Sequence, residues 1–352
     1  MRDRILAVVR GEEHDRVPFV QYNGIAAPNE EIWSVIGREN MGLIQWSSVH
    51  SANCPNCRFD YEDIERNGRP GQRVTMHTPG GTLFEERFFE PTYGTASISK
   101  HFITVPEDYR AFMAYLRDMV ITPNAGQFLA DQAAMGEDGV PMVAVQRTAF
   151  QQLWILWVSL EDLCIHMVDC PEVMDECIAL LDDIQRRTFE VVRQVVDEAP
   201  VPFVNIPDNI TAPAIGKTYF DRYCVPRYNE LADMLTDKNV PIFVHMDGDL
   251  KPIWDSIGAS KVMGLDSFSP PPDNDTSVVD ARSMWPEKRL FLNFPSSVHL
   301  ASPEEIYATT TQILEEDAGS GRLQVQISEN VPRGVWRRSY PEIVRAIRDF
   351  AS

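Results

Sequence analysis

Positive charge is scarce in this chain. Its 352 residues carry 32 Lys+Arg against 52 Asp+Glu, a formal net charge of −20. That shortage excludes a nucleic-acid binder, because neutralising phosphates takes clustered Lys and Arg. Long apolar runs are also missing, and none approaches the roughly 18 residues needed to span a bilayer. The opening MRDRILAVVRGEEHDR is charged throughout, unlike a secretory leader. The expectation is a cytoplasmic protein with no membrane partner. Cysteine is sparse: the six, at 54, 57, 164, 170, 177 and 224, are too few and too unevenly placed for a disulfide framework. Cys54-Pro-Asn-Cys57 has the spacing of a redox pair or half a zinc site, but no second such pair accompanies it, so it reads as structural. Cys164, Cys170, Cys177 and Cys224 fall in helical stretches and read as buried packing thiols. Low-complexity segments are absent. What is present, 44% hydrophobic and 24% charged residues, suits an ordinary globular core.

Length alone allows two domains of roughly 150 residues, yet α/β barrels of this size fold as one. From Val201 onward, short apolar runs alternate with amphipathic stretches. The runs are VPFVNI (201–206), VPIFVH (240–245), KVMGLD (261–266), RLFLNF (289–294) and RLQVQI (322–327). Each is apolar on both faces, as strands buried under helices require. Helices are expected over Lys217–Thr236, Lys251–Ile257, Val278–Met284, Ser302–Glu316 and Val335–Ala351. Ser302-Pro303-Glu304-Glu305 supplies an N-cap, a proline at the first helical position and early acids.

The first half adds VPFVQY (17–22), GLIQW (42–46) and PMVAVQ (141–146), which brings the strands to eight. Two helices, Ser159–Val168 and Pro171–Glu198, follow. Residues 72–89 alternate around Pro79-Gly80-Gly81 and read as an inserted hairpin. The pattern predicts an α/β fold, a (β/α)8 TIM barrel spanning 1–352 as a single domain, with an N-terminal helical and β-hairpin elaboration. The cluster SPPPDNDTS (269–277), directly after a strand, reads as an active-site loop rather than a linker.

In such a barrel, chemistry sits at the C-terminal strand ends. These carry Asp208-Asn209 after the fourth strand and His245-Met246-Asp247-Gly248-Asp249 after the fifth. Asp266 and Ser267 follow at the sixth, Asn293 at the seventh and Ser328-Glu329-Asn330 at the eighth. Positions i and i+2 of a strand share a face, so His245 and Asp247 both point to the barrel mouth, where Glu329 can approach them. One imidazole and two carboxylates with a fourth position open make a zinc site of the catalytic kind. Asp249 and Asn330 are candidates to hold those ligands in place. The competing reading makes His245 a hydrogen-bonded member of a polar layer and Asp208-Asn209 a turn cap.

Tyr22, Trp46, His50 and Phe150 suggest a mouth suited to a flat or apolar small molecule. Trp154 and Trp157, three apart, read as core. Arg147 is a candidate anchor for a substrate carboxylate or one half of a structural salt bridge.

The phrases RILAVVRGEEHDRVPF, TPGGTLFEE, PIFVHMDGDLKPIWDSI and ISENVPRGVWRRSYPEIVRAI together resemble the uroporphyrinogen decarboxylase superfamily over nearly the whole chain. The resemblance implies a (β/α)8 barrel and one of two activities: porphyrinogen decarboxylation, or zinc-dependent methyl transfer to or from a corrinoid protein or a thiol. The decarboxylases carry an arginine-rich phrase after the first strand. Here that stretch reads QYNGIAAPNEEIW (21–33), with no arginine and two adjacent glutamates, which disfavours a polyanionic substrate. The methyltransferases hold zinc with His-x-Cys after the fifth strand and a Cys ending the eighth. The corresponding residues are His245, Asp247 and Glu329. Carboxylates in place of thiolates make the metal a harder Lewis acid, suited to an ether or hydroxyl oxygen.

The resemblance therefore implies methyl transfer from a small, O-methyl type of substrate to a corrinoid carried by a partner protein. Asp208, Asn209, Asp249 and Asn330 would support catalysis, and Tyr22, Trp46, His50, Arg147, Phe150 and Asn293 would line the substrate site. The alternative is a decarboxylase or lyase acting on a small carboxylic acid, with Arg147 or Arg333 holding the carboxylate and Asp208 stabilising a protonated intermediate. The same departure from the cysteine pattern is also compatible with a lost metal. The sequence carries no signal for oligomeric state.

Overall fold

A computed structural model describes residues 1–90 and 95–351. It contains two compact units, residues 1–49, 124–145 and 193–352 in the first, and 50–123 with 146–192 in the second.

The first unit is the barrel. Its strands are β1 (Phe19–Tyr22), β2 (Gly42–Ser47), β3 (Gly139–Ala144), β4 (Val204–Ile206), β5 (Ile242–His245), β6 (Gly264–Phe268), β7 (Arg289–Asn293) and β8 (Leu323–Ile327). They pair in parallel in that order, and β8 closes on β1 through Phe19↔Val325 and Gln21↔Ile327. All eight expected strands are present. Every residue of β1, β4, β5, β6 and β8 is buried, on both faces of the sheet, as strands covered by helices require.

The two-residue period of a strand builds the interior in layers. Phe203, Phe243 and Phe291 are wholly buried and meet with ring centroids 4.7–5.5 Å apart. Two residues further along each chain stand Asn205, His245 and Asn293, so an aromatic floor underlies a polar tier. Gly264, two before Asp266, completes the floor by having no side chain; a Cβ there would lie 2.1 Å from the Phe243 ring.

Capping explains the helix boundaries. Ser302 and Glu305 form a reciprocal capping box ahead of Pro303–Asp317, and Ser277 and Asp280 do the same for Val278–Met284. The helix Arg2–Arg10 ends at Gly11, φ 71°, where the Arg289 guanidinium takes the carbonyls of Val9 and Arg10. The helix expected from Lys217 begins earlier, at Ala212 with Pro213 in its first turn. It is kinked at Gly216 and runs through a π turn, Phe220–Cys224, to Leu235.

In the second unit the expected hairpin is real, as Arg69–Thr78 and Gly81–Glu90, but it is the centre of a four-stranded antiparallel sheet flanked by Arg58–Arg66 and Thr95–Lys100. The outer strands are mostly exposed and polar, so they lack the alternation that marks a strand in sequence. Trp157 packs on Phe112 at 4.5 Å, in keeping with a core role. Trp154 donates to Gln151 Oε1 at 2.7 Å.

Cys177 and Cys224 are buried thiols as expected, whereas Cys170 is half-buried. Cys164 is exposed, a correction to its reading as a packing thiol. Burial pushes the Cys57 thiol up to about 12 and raises Cys54 as well, so neither is a thiolate nucleophile.

Candidate metal centre

The register of the sheet places Asp266 beside His245, since β5 and β6 pair His245↔Asp266. His245 Nδ1 lies 3.0 Å from Asp266 Oδ2. An ionised carboxylate only accepts, so Nδ1 carries a proton toward Asp266 and Nε2 is the nitrogen turned to the remaining acids. Asp247 Oδ2 lies 3.7 Å from that Nε2, and Glu329 Oε1 lies 3.6 Å from it. One donor atom from each of the three residues falls within 4.8 Å of the other two, and among the described residues this is the one such cluster of three. Two ligands about 2.0–2.1 Å from a tetrahedral zinc stand roughly 3.4 Å apart, so the two distances from His245 Nε2 are close to those a zinc requires.

The electrostatics point the same way. Burial alone would keep the His245 imidazole neutral, but the carboxylates of Asp247, Asp266 and Glu329 outweigh it and raise its pKa well above the usual value. Three acids around one ring give the cluster an excess of negative charge. Asp266 is wholly buried. Burial pushes its pKa up, yet the hydrogen bonds and charge it receives, His245 foremost, hold it below the ordinary carboxylate value. Besides His245 it accepts from Tyr22 Oη at 2.7 Å, Asn205 Nδ2 at 2.7 Å and Gln326 Nε2 at 2.9 Å. Burial and the Asp266 charge push the Tyr22 phenol well above its usual pKa, so it stays a donor.

The other candidates take varied places. Asn209 Nδ2 donates to Asp247 Oδ2 at 3.1 Å. Asn293 Oδ1 accepts from the backbone N–H groups of Ser328 at 3.0 Å and Glu329 at 3.3 Å, fixing the chain where Glu329 leaves β8. Asp249 accepts from the Asp275 N–H at 3.0 Å, and Asn274 Nδ2 donates to the Asp247 carbonyl at 2.7 Å. The loop 269–277 thus braces the segment after β5. Asp208 is buried and accepts from Tyr228 Oη at 2.6 Å, while Asn330 is exposed. Trp46, 38% exposed, stands edge-on to Tyr22 with ring centroids 5.5 Å apart.

His50, Arg147 and Phe150 belong to the second unit. There Gln146 Nε2 lies 3.5 Å from His50 Nε2, burial lowers the His50 pKa, and Phe150 is buried in the short helix Ala149–Gln152. Arg333, an alternative carboxylate anchor, is exposed on the segment after β8.

Sequence reasoning noted Asp266 and Ser267 as strand-end residues but gave them no role. The available signal was the equal offset of His245 and Asp266 from the starts of neighbouring strands, which puts them at one level of the barrel. Asn205 and Gln326 carry no such signal, because an amide inside a mostly apolar run is common. A separate cavity of about 970 Å³ opens at the opposite, N-terminal end of the barrel, lined by Leu6, Val9, Val240 and Arg289 among others.

Eight parallel strands, with a His–carboxylate cluster at their C-terminal ends, define a TIM-barrel protein with a candidate catalytic metal centre. The sequence pattern of the uroporphyrinogen decarboxylase (URO-D) family matches residues 132–325, more than half of the chain, and the chain belongs to that family. No curated protein matches it. Among solved structures it is similar to a methyltransferase from Methanosarcina mazei, with a TM-score of 0.58 and 14% identity, over 100% of this chain and 99% of that one. It also aligns with a B12-independent methionine synthase from a Shewanella species, with a TM-score of 0.43 and 10% identity, over 84% of this chain and 76% of that one. Among the described residues, no helix is long and apolar enough to cross a membrane.

Proposed function

We propose that this protein is a zinc-dependent methyltransferase that moves a methyl group from a small O-methyl substrate to the cobalt of a corrinoid carried by a partner protein. The observation that carries the reading is the convergence of His245, Asp247 and Glu329, with the proton of His245 fixed on Nδ1 by Asp266. In this reading His245, Asp247 and Glu329 hold the metal and leave one position open for substrate. Bound there, zinc supplies Lewis acidity to the oxygen that departs when the methyl group is transferred.

The chain's own groups do the rest. Asp266 keeps Nε2 aimed at the centre, Asn209 steadies Asp247, and Asn293 fixes the backbone that carries Glu329. The three ligand groups, two carboxylates and one imidazole, carry a formal charge of −2, which a divalent ion would neutralise. A neutral centre with oxygen ligands attracts a hard oxygen leaving group more than a thiol. Trp46, beside Tyr22, offers an aromatic edge to the substrate's body.

The test is elemental analysis of the purified protein by plasma mass spectrometry after chelation and zinc reloading, with His245→Ala and Glu329→Gln in parallel. About one zinc per wild-type chain, lost in both variants, supports the reading and directs substrate screening to O-methyl compounds with a corrinoid acceptor. A wild type that takes up no zinc sinks it.

A further inference from the structure

Ser267 is a serine in a conformation that favours glycine. Its φ is +58°, inside β6 and wholly buried, and the pairing of β6 with β7 slips at this residue, from Asp266↔Phe291 to Phe268↔Leu292. L-residues avoid left-handed φ, and such strain persists where the surrounding structure imposes it, often at working sites. In a regular strand Asp266 and Ser267 would face opposite sides of the sheet. The bulge instead lets both serve one site. Asp266 reaches His245, and Ser267 Oγ reaches Glu329 Oε1 at 3.0 Å.

The hydroxyls define a direction. Ser267 Oγ also lies 2.6 Å from Ser328 Oγ. An ionised carboxylate has no proton to give, so Ser267 donates to Glu329, and the one Ser328 hydroxyl proton is shared between Ser267 Oγ and Asn293 Oδ1, the latter at 3.2 Å. Ser328 is itself held by Asn293, whose Oδ1 accepts the Ser328 N–H. Glu329 is 40% exposed, so this hydroxyl restrains a side chain that solvent would otherwise leave free.

We infer that Ser267 is a positioning residue for the metal centre: its left-handed backbone turns the hydroxyl onto Glu329 Oε1 and holds that carboxylate facing His245 Nε2. This rests on the zinc reading proposed above. Ser267 touches neither metal nor substrate and acts through Glu329.

The experiment is zinc affinity by chelator competition on the full chain, for wild type, Ser267→Gly, Ser267→Ala, Glu329→Gln and the Ser267→Gly/Glu329→Gln double variant, with thermal melting of each. Ser267→Gly is the informative change, since it removes the hydroxyl while accepting the backbone without strain. The expected result is a 10- to 100-fold loss of zinc affinity in Ser267→Gly, the scale at which groups holding metal ligands act, with a melting temperature equal to or above wild type. Ser267→Ala should lose affinity comparably and melt lower. In the Glu329→Gln background, Ser267→Gly should cost little more, because the group it restrains is already gone.

Wild-type zinc affinity in Ser267→Gly overturns this inference while leaving the zinc reading intact, and so does an equal loss with and without Glu329. Absence of zinc binding by the wild type overturns the metal reading and this inference with it.

Discussion

His245 Nδ1 and Asp266 Oδ2 stand 3.0 Å apart at the same level of neighbouring barrel strands, and that contact decides which imidazole nitrogen faces the acids beyond it. Asp266 is satisfied by four donors from four strands, Tyr22, Asn205, His245 and Gln326. It therefore joins the barrel's integrity to the orientation of the site.

Replacing Asp266 with Ala strands those four buried donors and should destabilise the protein by about 3–5 kcal/mol, read by chemical denaturation. Asp266→Asn keeps the volume but cannot accept from all four. It should fold with a smaller loss and bind zinc 10- to 100-fold more weakly, as other changes behind a metal-bound histidine do. Unchanged zinc affinity in a folded Asp266→Asn protein would remove Asp266 from the account of the centre.

The oxygen-rich donor set makes a spectroscopic prediction. Asp247→Cys with Glu329→Cys converts two hard ligands to soft ones at the same backbone positions. Loaded with cobalt(II), the double variant should show thiolate-to-metal charge transfer in the near ultraviolet that the wild type lacks. Its zinc affinity should rise on the order of tenfold. A charge-transfer band from only one of the two cysteines would mean that the other position does not reach the metal.

How legible all this was in the sequence follows from what each element buries. The barrel strands are legible because each is a short, mostly apolar run recurring between amphipathic stretches, and the helix Pro303–Asp317 because Ser302 caps it. Arg58–Arg66 and Thr95–Lys100 passed unread because they face solvent and alternate weakly. His245, Asp247 and Glu329 could be brought together on strand-end position and resemblance. The bulge at Ser267 could not be foreseen, since no glycine marks it.

His299 gives the protein an acid-sensitive element away from the metal centre. It is buried, with Nδ1 2.7 Å from Ser339 Oγ and its ring against Phe294, and burial pushes its pKa down to about 4, opposed only weakly by Asp273. Unfolded histidine titrates near 6.5, so between about pH 4 and 6.5 the unfolded chain binds the extra proton. The stabilisation is complete above pH 6.5 and is lost as pH falls toward 4, by up to about 3 kcal/mol. Denaturation of wild type and His299→Gln across that range checks it: the variant should show the shallower slope, and parallel slopes would exclude His299 as the cause.

The aromatic floor supplies the last prediction, because it couples packing to the site above it. A Cβ on Gly264 would lie 2.1 Å from the Phe243 ring, and Phe243 is two residues before His245 on β5. Neighbouring rings Phe203 and Phe291 leave Phe243 no easy retreat. Gly264→Ala should therefore cost about 3 kcal/mol of stability by overpacking. The displaced strand should also weaken zinc binding, although Gly264 contacts no candidate ligand. Adding Phe243→Leu makes room for the methyl group, so the double variant should recover much of both losses. If Gly264→Ala proves harmless, or if Phe243→Leu adds its own cost without relief, the floor does not set the position of His245.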